Sequence, residues 1–253
     1  MVEYNEQRGN VKLDIADILE LRDPNQFLGA MQEEFQGRVG PMRCFRVTAT
    51  PSDLGEVSAS LSDSTLLGLL EKPPGRDGGW TVKPVAPLRR NALGFENDRT
   101  DFQHLKFIRN GHLEFWTAID DHFCWRQDAT SFKQHPRLYP YAVVEYPLSF
   151  CRLYKELVNL LAITSKIILQ MQYINVEGVV LLPFRPDSIG FMHPIDPIKP
   201  SERGRLVFAK HVVPHDYDPD LATLDLVEDL YFQFGYSRQH IPFFGPSGHV
   251  TEL

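Results

Sequence analysis

The stretch "HLKFIRNGHLEFW", His104 to Trp116, gathers two histidines, a lysine, an arginine and aromatic rings around an Asn-Gly pair. Further along stand Phe123, Trp125, Arg126, Lys133, Arg137 and Tyr139. Arginines interleaved with aromatics are the parts of a stacking platform. The rings receive bases and the cations meet phosphates. In that reading Lys106, Arg109 and Arg126 contact phosphate, Trp125 stacks on a base, and His112, Lys133 and Arg137 complete the basic surface. The same residues also suit a plain structural role. Trp and Phe bury well, and an Arg beside a Trp packs on its ring.

Two other clusters could hold a metal ion. Asp120, Asp121 and His122 stand with Cys124 and His135 nearby, which are carboxylate, imidazole and thiol ligand types. In "KHVVPHDYDPD", His211, His215 and Asp216 follow an expected strand, where a metal-dependent hydrolase places ligands. Against both, adjacent acids cap helices, and alternation sends strand neighbours to opposite faces. His193 in "FMHPID" is read as structural or solvent-facing.

Other chemistry is not encoded in familiar form. The chain has no GxxxxGK[ST] loop, no GxGxxG after a strand, no HExxH, no GxSxG and no EF-hand loop. No cofactor is therefore expected. Cys44, Cys124 and Cys151 are three widely spaced cysteines, which fits buried thiols better than a disulfide framework or zinc ribbon.

The net charge of −7 argues against a general nucleic-acid coat. The distribution is uneven: residues 1–75 carry −5, residues 76–137 carry +2 and residues 138–253 carry −4. Only the middle, which holds the opening stretch, is basic. No run of about 18 apolar residues exists to span a membrane, and the polar start lacks an apolar leader core. A soluble, cytoplasmic protein is expected.

The elements that must position these residues can be read from pattern. Asp23 before Pro24 starts a helix over about 24–36. "RCFRVTATP" is a strand that Pro51 ends, "DSTLLGLLEK" a short helix, and "WTVKPV" an edge strand. Asn110-Gly111 between alternating runs predicts a hairpin over about 102–119, with a type I′ turn and Arg109 and His112 at an exposed tip. Apolar residues at three-and-four spacing predict a helix over about 147–164. A second hairpin is expected over about 166–184, turning at Glu177-Gly178, and a helix over about 220–234 capped by Asp218 or Asp220. Ile241, Phe243 and Phe244 of the tail are expected to dock on the body. Hairpin links rather than βαβ units predict an α+β fold with antiparallel sheet. The expected division is a small N-terminal part, 1–75, and a main domain, 76–253.

The segments "RCFRVTATP", "NGHLEFW", "FCWRQ" and "YPYAVVEYPLSFCRLYKEL" together resemble a region of bacterial Schlafen-like, AlbA-type proteins, a family grouped as ATP-binding or DNA-binding. The likeness covers about residues 40–165, downstream of that family's N-terminal nucleotide-binding module. Only about forty residues precede it here, so the module is expected to be missing or shortened. The resemblance implies an accessory domain of a prokaryotic system linked to nucleic acid or phage defence.

Together these readings favour a binding module over an enzyme, with nucleic acid or a nucleotide-type ligand on the basic aromatic segment. A metal-dependent hydrolase using His211, His215 and Asp216 is the first alternative. A structural domain that meets a protein partner or its own copy is the second.

Overall fold

The computed structural model describes residues 18, 20–75, 78–97, 103–119, 136–182 and 200–251. They form an α+β fold around a seven-stranded antiparallel sheet of order β2-β3-β4-β5-β1-β7-β9. The strands are β1 (Cys44–Pro51), β2 (Leu88–Arg90), β3 (Gly94–Asn97), β4 (Gln103–Ile108), β5 (Leu113–Ala118), β7 (Ile167–Ile174) and β9 (Arg205–Val212). Two short strands, β6 (Arg137–Leu138) and β8 (Val180–Leu181), pair in parallel apart from it. The helices are α1 (Pro24–Val39), α2 (Ser64–Glu71), α3 (Pro140–Leu160) and α4 (Pro219–Gln233). Among the described residues no helix is long and apolar enough to cross a membrane.

The period-two alternation sorts the central strands into two chemistries. Phe45, Val47 and Ala49 of β1, Leu105 and Phe107 of β4, and Leu113 and Phe115 of β5 face one large core with α2, α3 and α4. The alternate positions carry Arg46, Thr48, His104, Lys106 and Glu114. That side is not left to water, because α1 lies over it. Phe27, Met31, Phe35 and Val39, four residues apart, form the buried stripe of α1. They pack on Leu93, Ile108, Trp116 and Ile174. Asp23 caps α1 through Asn25 N–H, and Asp218 caps α4 through Asp220 and Leu221 N–H.

The opening hairpin forms with Phe107 opposite Leu113 and Leu105 opposite Phe115. Its turn differs from expectation. Asn110 keeps an ordinary φ and only Gly111 is left-handed, at φ 87°. Gly111 N–H donates to Ile108 C=O, and Ile108 N–H donates to His112 C=O. These bonds define a three-residue loop with a glycine bulge rather than a type I′ turn. Nor is the tip as a whole exposed: Asn110, Gly111 and His112 are buried. Tyr154 of α3 donates its hydroxyl to Gly111 C=O at 3.1 Å, and Arg109 C=O accepts from Ala59 N–H at 2.8 Å.

Three further expectations are corrected. The long helix begins at Pro140, not near 147, because Pro140 occupies the first turn, where its missing N–H is harmless. Pro147 lies inside the helix. "WTVKPV" is not a strand: Pro84 and Pro87 remove ladder donors, and α3 side chains take the free backbone groups instead. Trp80 N–H donates to Glu145 and Val82 N–H to Ser149. The expected second hairpin does not pair with itself. β7 lies between β1 and β9, while β8 leaves the sheet to join β6. Ile241 is buried, and Phe243 and Phe244 pack against the main core.

Two glycines give opposite tests of this packing. A Cβ on Gly94 would lie 1.8 Å from Phe107 C=O, whereas on Gly68 of α2 it would meet nothing within 4 Å. Gly94→Ala is expected to lower stability by about 3 kcal/mol, and Gly68→Ala to raise it by about 0.5–1 kcal/mol. Urea unfolding of both variants checks this.

Candidate functional site

Two polar regions stand out: a largely covered charge network beneath α1, and an open cleft at the other end of β4 from the hairpin tip. The network begins with Arg46, 1 % exposed. Its Nε donates to Glu114 at 3.0 Å and its Nη2 makes a second bond to the same oxygen. Nη1 donates to Gln32 of α1 at 2.6 Å, and the guanidinium stacks over the Phe35 ring at 4.7 Å. Lys106 donates to both Glu34 oxygens, at 2.7 and 3.0 Å. Glu34 also pairs with Arg38, which lies 3.7 Å from Glu96. Three cations, Arg38, Arg46 and Lys106, are thus matched by three carboxylates, Glu34, Glu96 and Glu114.

The electrostatics follow from burial and these partners. Burial alone would push the Glu114 carboxyl up, but Arg46, with His112 and Lys106, outweighs it and leaves a pKa of about 2. Glu96 is also held at about 2, chiefly by His104, whose Nε2 lies 3.5 Å away. His112 is wholly buried, with Nδ1 2.8 Å from Thr50 Oγ1 and its ring edge-on to Phe27. Burial pushes its imidazole down to about 3, so it is neutral near pH 7.

The cleft has a volume of about 520 Å³, within the usual range for small-ligand sites. Its walls are Gly78 to Thr81, Lys83 to Val85, Gln103 and Tyr146. The same backbone bonds that keep 80–82 out of the sheet hold this wall against α3. The Trp80 ring packs on Tyr139 at 5.1 Å, Tyr139 meets Tyr141 edge-on, and Tyr141 stacks on Phe243 at 4.8 Å. Gln103 reaches across to Lys83 C=O at 3.1 Å. Lys83 is exposed and makes no ion pair among the described residues. Arg89 and Arg90 are exposed on the edge strand β2, level with Lys106 and Phe107 rather than with Gln103. Gln103 and Tyr146 are both buried and form the floor of the cleft, while the half-buried Trp80 indole and the exposed Lys83 ammonium at its walls can stack a ring and meet an anion.

The residues singled out from the sequence are therefore spread apart. Lys106 and His112 are buried beneath α1 with the charge network. Arg109 is exposed and donates to Ser58 at 3.1 Å. It follows β4, whereas Gln103 begins it, so the hairpin tip and the cleft are about 20 Å apart. Arg137 lies in β6, which pairs with β8 apart from the main sheet, and does not line the cleft. Trp125, Arg126 and Lys133 lie outside the described residues, as do Asp120, Asp121, His122, Cys124, His135 and His193. Cys44 and Cys151 are buried. His211 is exposed on β9, and His215 and Asp216 meet at 3.1 Å in an exposed 3₁₀ turn. Among the described residues no group of three His, Cys, Asp or Glu side chains could hold a metal ion. Trp80, Lys83, Gln103 and Tyr146 were not foreseen. The Gly-Gly pair before Trp80 and the prolines after Lys83 were the signals that this segment leaves the sheet.

Comparison with known families, curated proteins and solved structures finds no match for this chain.

Glu114→Leu strands the Arg46 charge and is expected to cost about 3–5 kcal/mol, while Arg46→Met with Glu114→Leu costs less than Glu114→Leu alone. Equal or greater loss in the double variant, measured by urea unfolding, would contradict the pairing. The pH dependence has a definite sign. His112 has a lowered folded pKa, so its contribution is full above about 6.5 and declines as pH falls toward 3. Glu96 and Glu114 add a second loss as pH falls from about 4.5 toward 2. His112→Gln should flatten stability between pH 6.5 and 4.5 relative to the unsubstituted chain, leaving the lower step intact.

Proposed function

We propose that the chain is a binding module for a nucleotide unit, free or within a single strand of nucleic acid, received in the cleft of Trp80, Lys83, Gln103 and Tyr146. The observation that carries this reading is the conjunction in one open cleft of a half-buried indole and an exposed ammonium that makes no ion pair among the described residues. Base–aromatic stacking contributes about 1–3 kcal/mol per base, and a lysine adds a phosphate contact without sequence preference. The cleft also belongs to the one segment of the chain that is net basic. The resemblance to the Schlafen-like, AlbA-type region agrees with this as context. It suggests an accessory role in a prokaryotic nucleic-acid-linked system, without catalysis by this chain.

The test is fluorescence anisotropy with labelled single-stranded DNA and RNA, with unlabelled ADP as competitor, at two salt concentrations. Binding should weaken as salt rises. Trp80→Leu should weaken it about tenfold or more, and Lys83→Glu should reduce both affinity and the salt slope. Arg109→Ala, at the other end of β4, should leave binding unchanged. No binding at low salt, or equal binding by all variants, would overturn the reading.

A further inference from the structure

We propose that the outer edge of β9 is a pairing surface for a second copy of this chain, which joins antiparallel about a two-fold axis at Ala209 and extends the sheet across both molecules. Exposed sheet edges present unpaired N–H and C=O groups, and proteins blunt them with short strands, prolines, bulges or outward charges. The far edge of this sheet follows that rule: β2 has three residues and exposes Arg89 and Arg90. β9 does not. All eight of its residues run in unbroken register with β7, from Arg205 opposite Ile174 to Val212 opposite Ile167. The strand, "RLVFAKHV", contains no proline, and among the described residues no strand lies beyond it. Its own lysine does not guard the edge, because Lys210 is drawn to Asp229 of α4 at 3.1 Å.

The sequence of the strand selects a like partner. Arg205, Val207, Ala209 and His211 are exposed along one face, with Val207 43 % exposed. Antiparallel partners about a perpendicular two-fold axis add to a constant residue number. An axis at Phe208 sets Arg205 against His211, two basic groups. An axis at Val207 leaves only residues 205–209 paired within the strand. An axis at Ala209 pairs residues 206–212, matching Val207 with His211, Phe208 with Lys210 and Leu206 with Val212. It opposes no like charges and puts the smallest side chain at the axis, where two copies of one residue must meet. This surface is independent of the cleft, since it lies on the opposite edge of the sheet from β2.

Sedimentation equilibrium of the full chain over a micromolar range tests the proposal. The expected result is a reversible monomer–dimer equilibrium. Ala209→Lys places two like charges face to face and should raise the dimer dissociation constant about fivefold or more, with circular dichroism unchanged. Ala209→Cys should give an interchain disulfide under mild oxidation, while the unsubstituted chain treated in parallel does not. A monomer at every concentration overturns the proposal. So does a dimer that resists Ala209→Lys and shows no cross-link through Ala209→Cys. Should Ala209→Lys fail to fold, the cross-link decides.

Discussion

The buried pair of Arg46 and Glu114 is the constraint around which this fold is arranged. The two residues stand on adjacent strands at the middle of the sheet, β1 and β5, on the face turned from the main core. Once these charges are covered, every neighbour must satisfy them, since an uncompensated buried charge costs several kcal/mol. α1 does so with matching chemistry rather than with an apolar lid. Gln32 takes one Arg46 nitrogen, Phe35 stacks on the guanidinium, and Glu34 receives Lys106. The apolar stripe of α1 supplies the area, and the charges fix its place along the strands. Desolvation offsets much of the attraction within such a network, so breaking one pair costs more than the intact network contributes.

This arrangement divides the basic middle segment into two parts. Lys106 and the imidazoles of His104 and His112 belong to the interior and have no reach to solvent. Lys83, Arg89 and Arg90 remain outside, together with the half-buried Trp80. The residues most suggestive of ligand binding in the linear sequence are thus structural. The cleft that supports our functional reading is built from a segment with no regular secondary structure, held in place by Glu145 and Ser149 of α3. Irregular segments fixed on a rigid scaffold are where binding groups are often found.

Much of the fold was legible because it is written locally. Asp23-Pro24 announces α1, and alternation around Asn110-Gly111 announces the β4–β5 hairpin. What was not legible depends on distant chain. Alternate polar residues in β4 and β5 read as a wetted face. Only α1, some seventy residues earlier than Lys106, makes that face an interior. β7 looked like half of a hairpin because Glu177-Gly178 follows it, yet its partners come from residues 44–51 and 205–212. Pro147 concealed the first two turns of α3, which the later leucine spacing could not reveal. The cleft was missed for a related reason: "WTVKPV" has strand-like composition, and its removal from the sheet rests on side chains 65 residues further on.

On the proposed reading the cleft at Trp80, and not the hairpin tip or the charge network beneath α1, meets the nucleotide unit. Photo-crosslinking of a halogenated-uracil oligonucleotide to the full chain, with the modified residue located by peptide mass spectrometry, tests it most directly. Adducts on Trp80 that unlabelled oligonucleotide suppresses are expected. Suppressible adducts confined to the Arg109 tip or to β9, or the absence of any adduct, would contradict it.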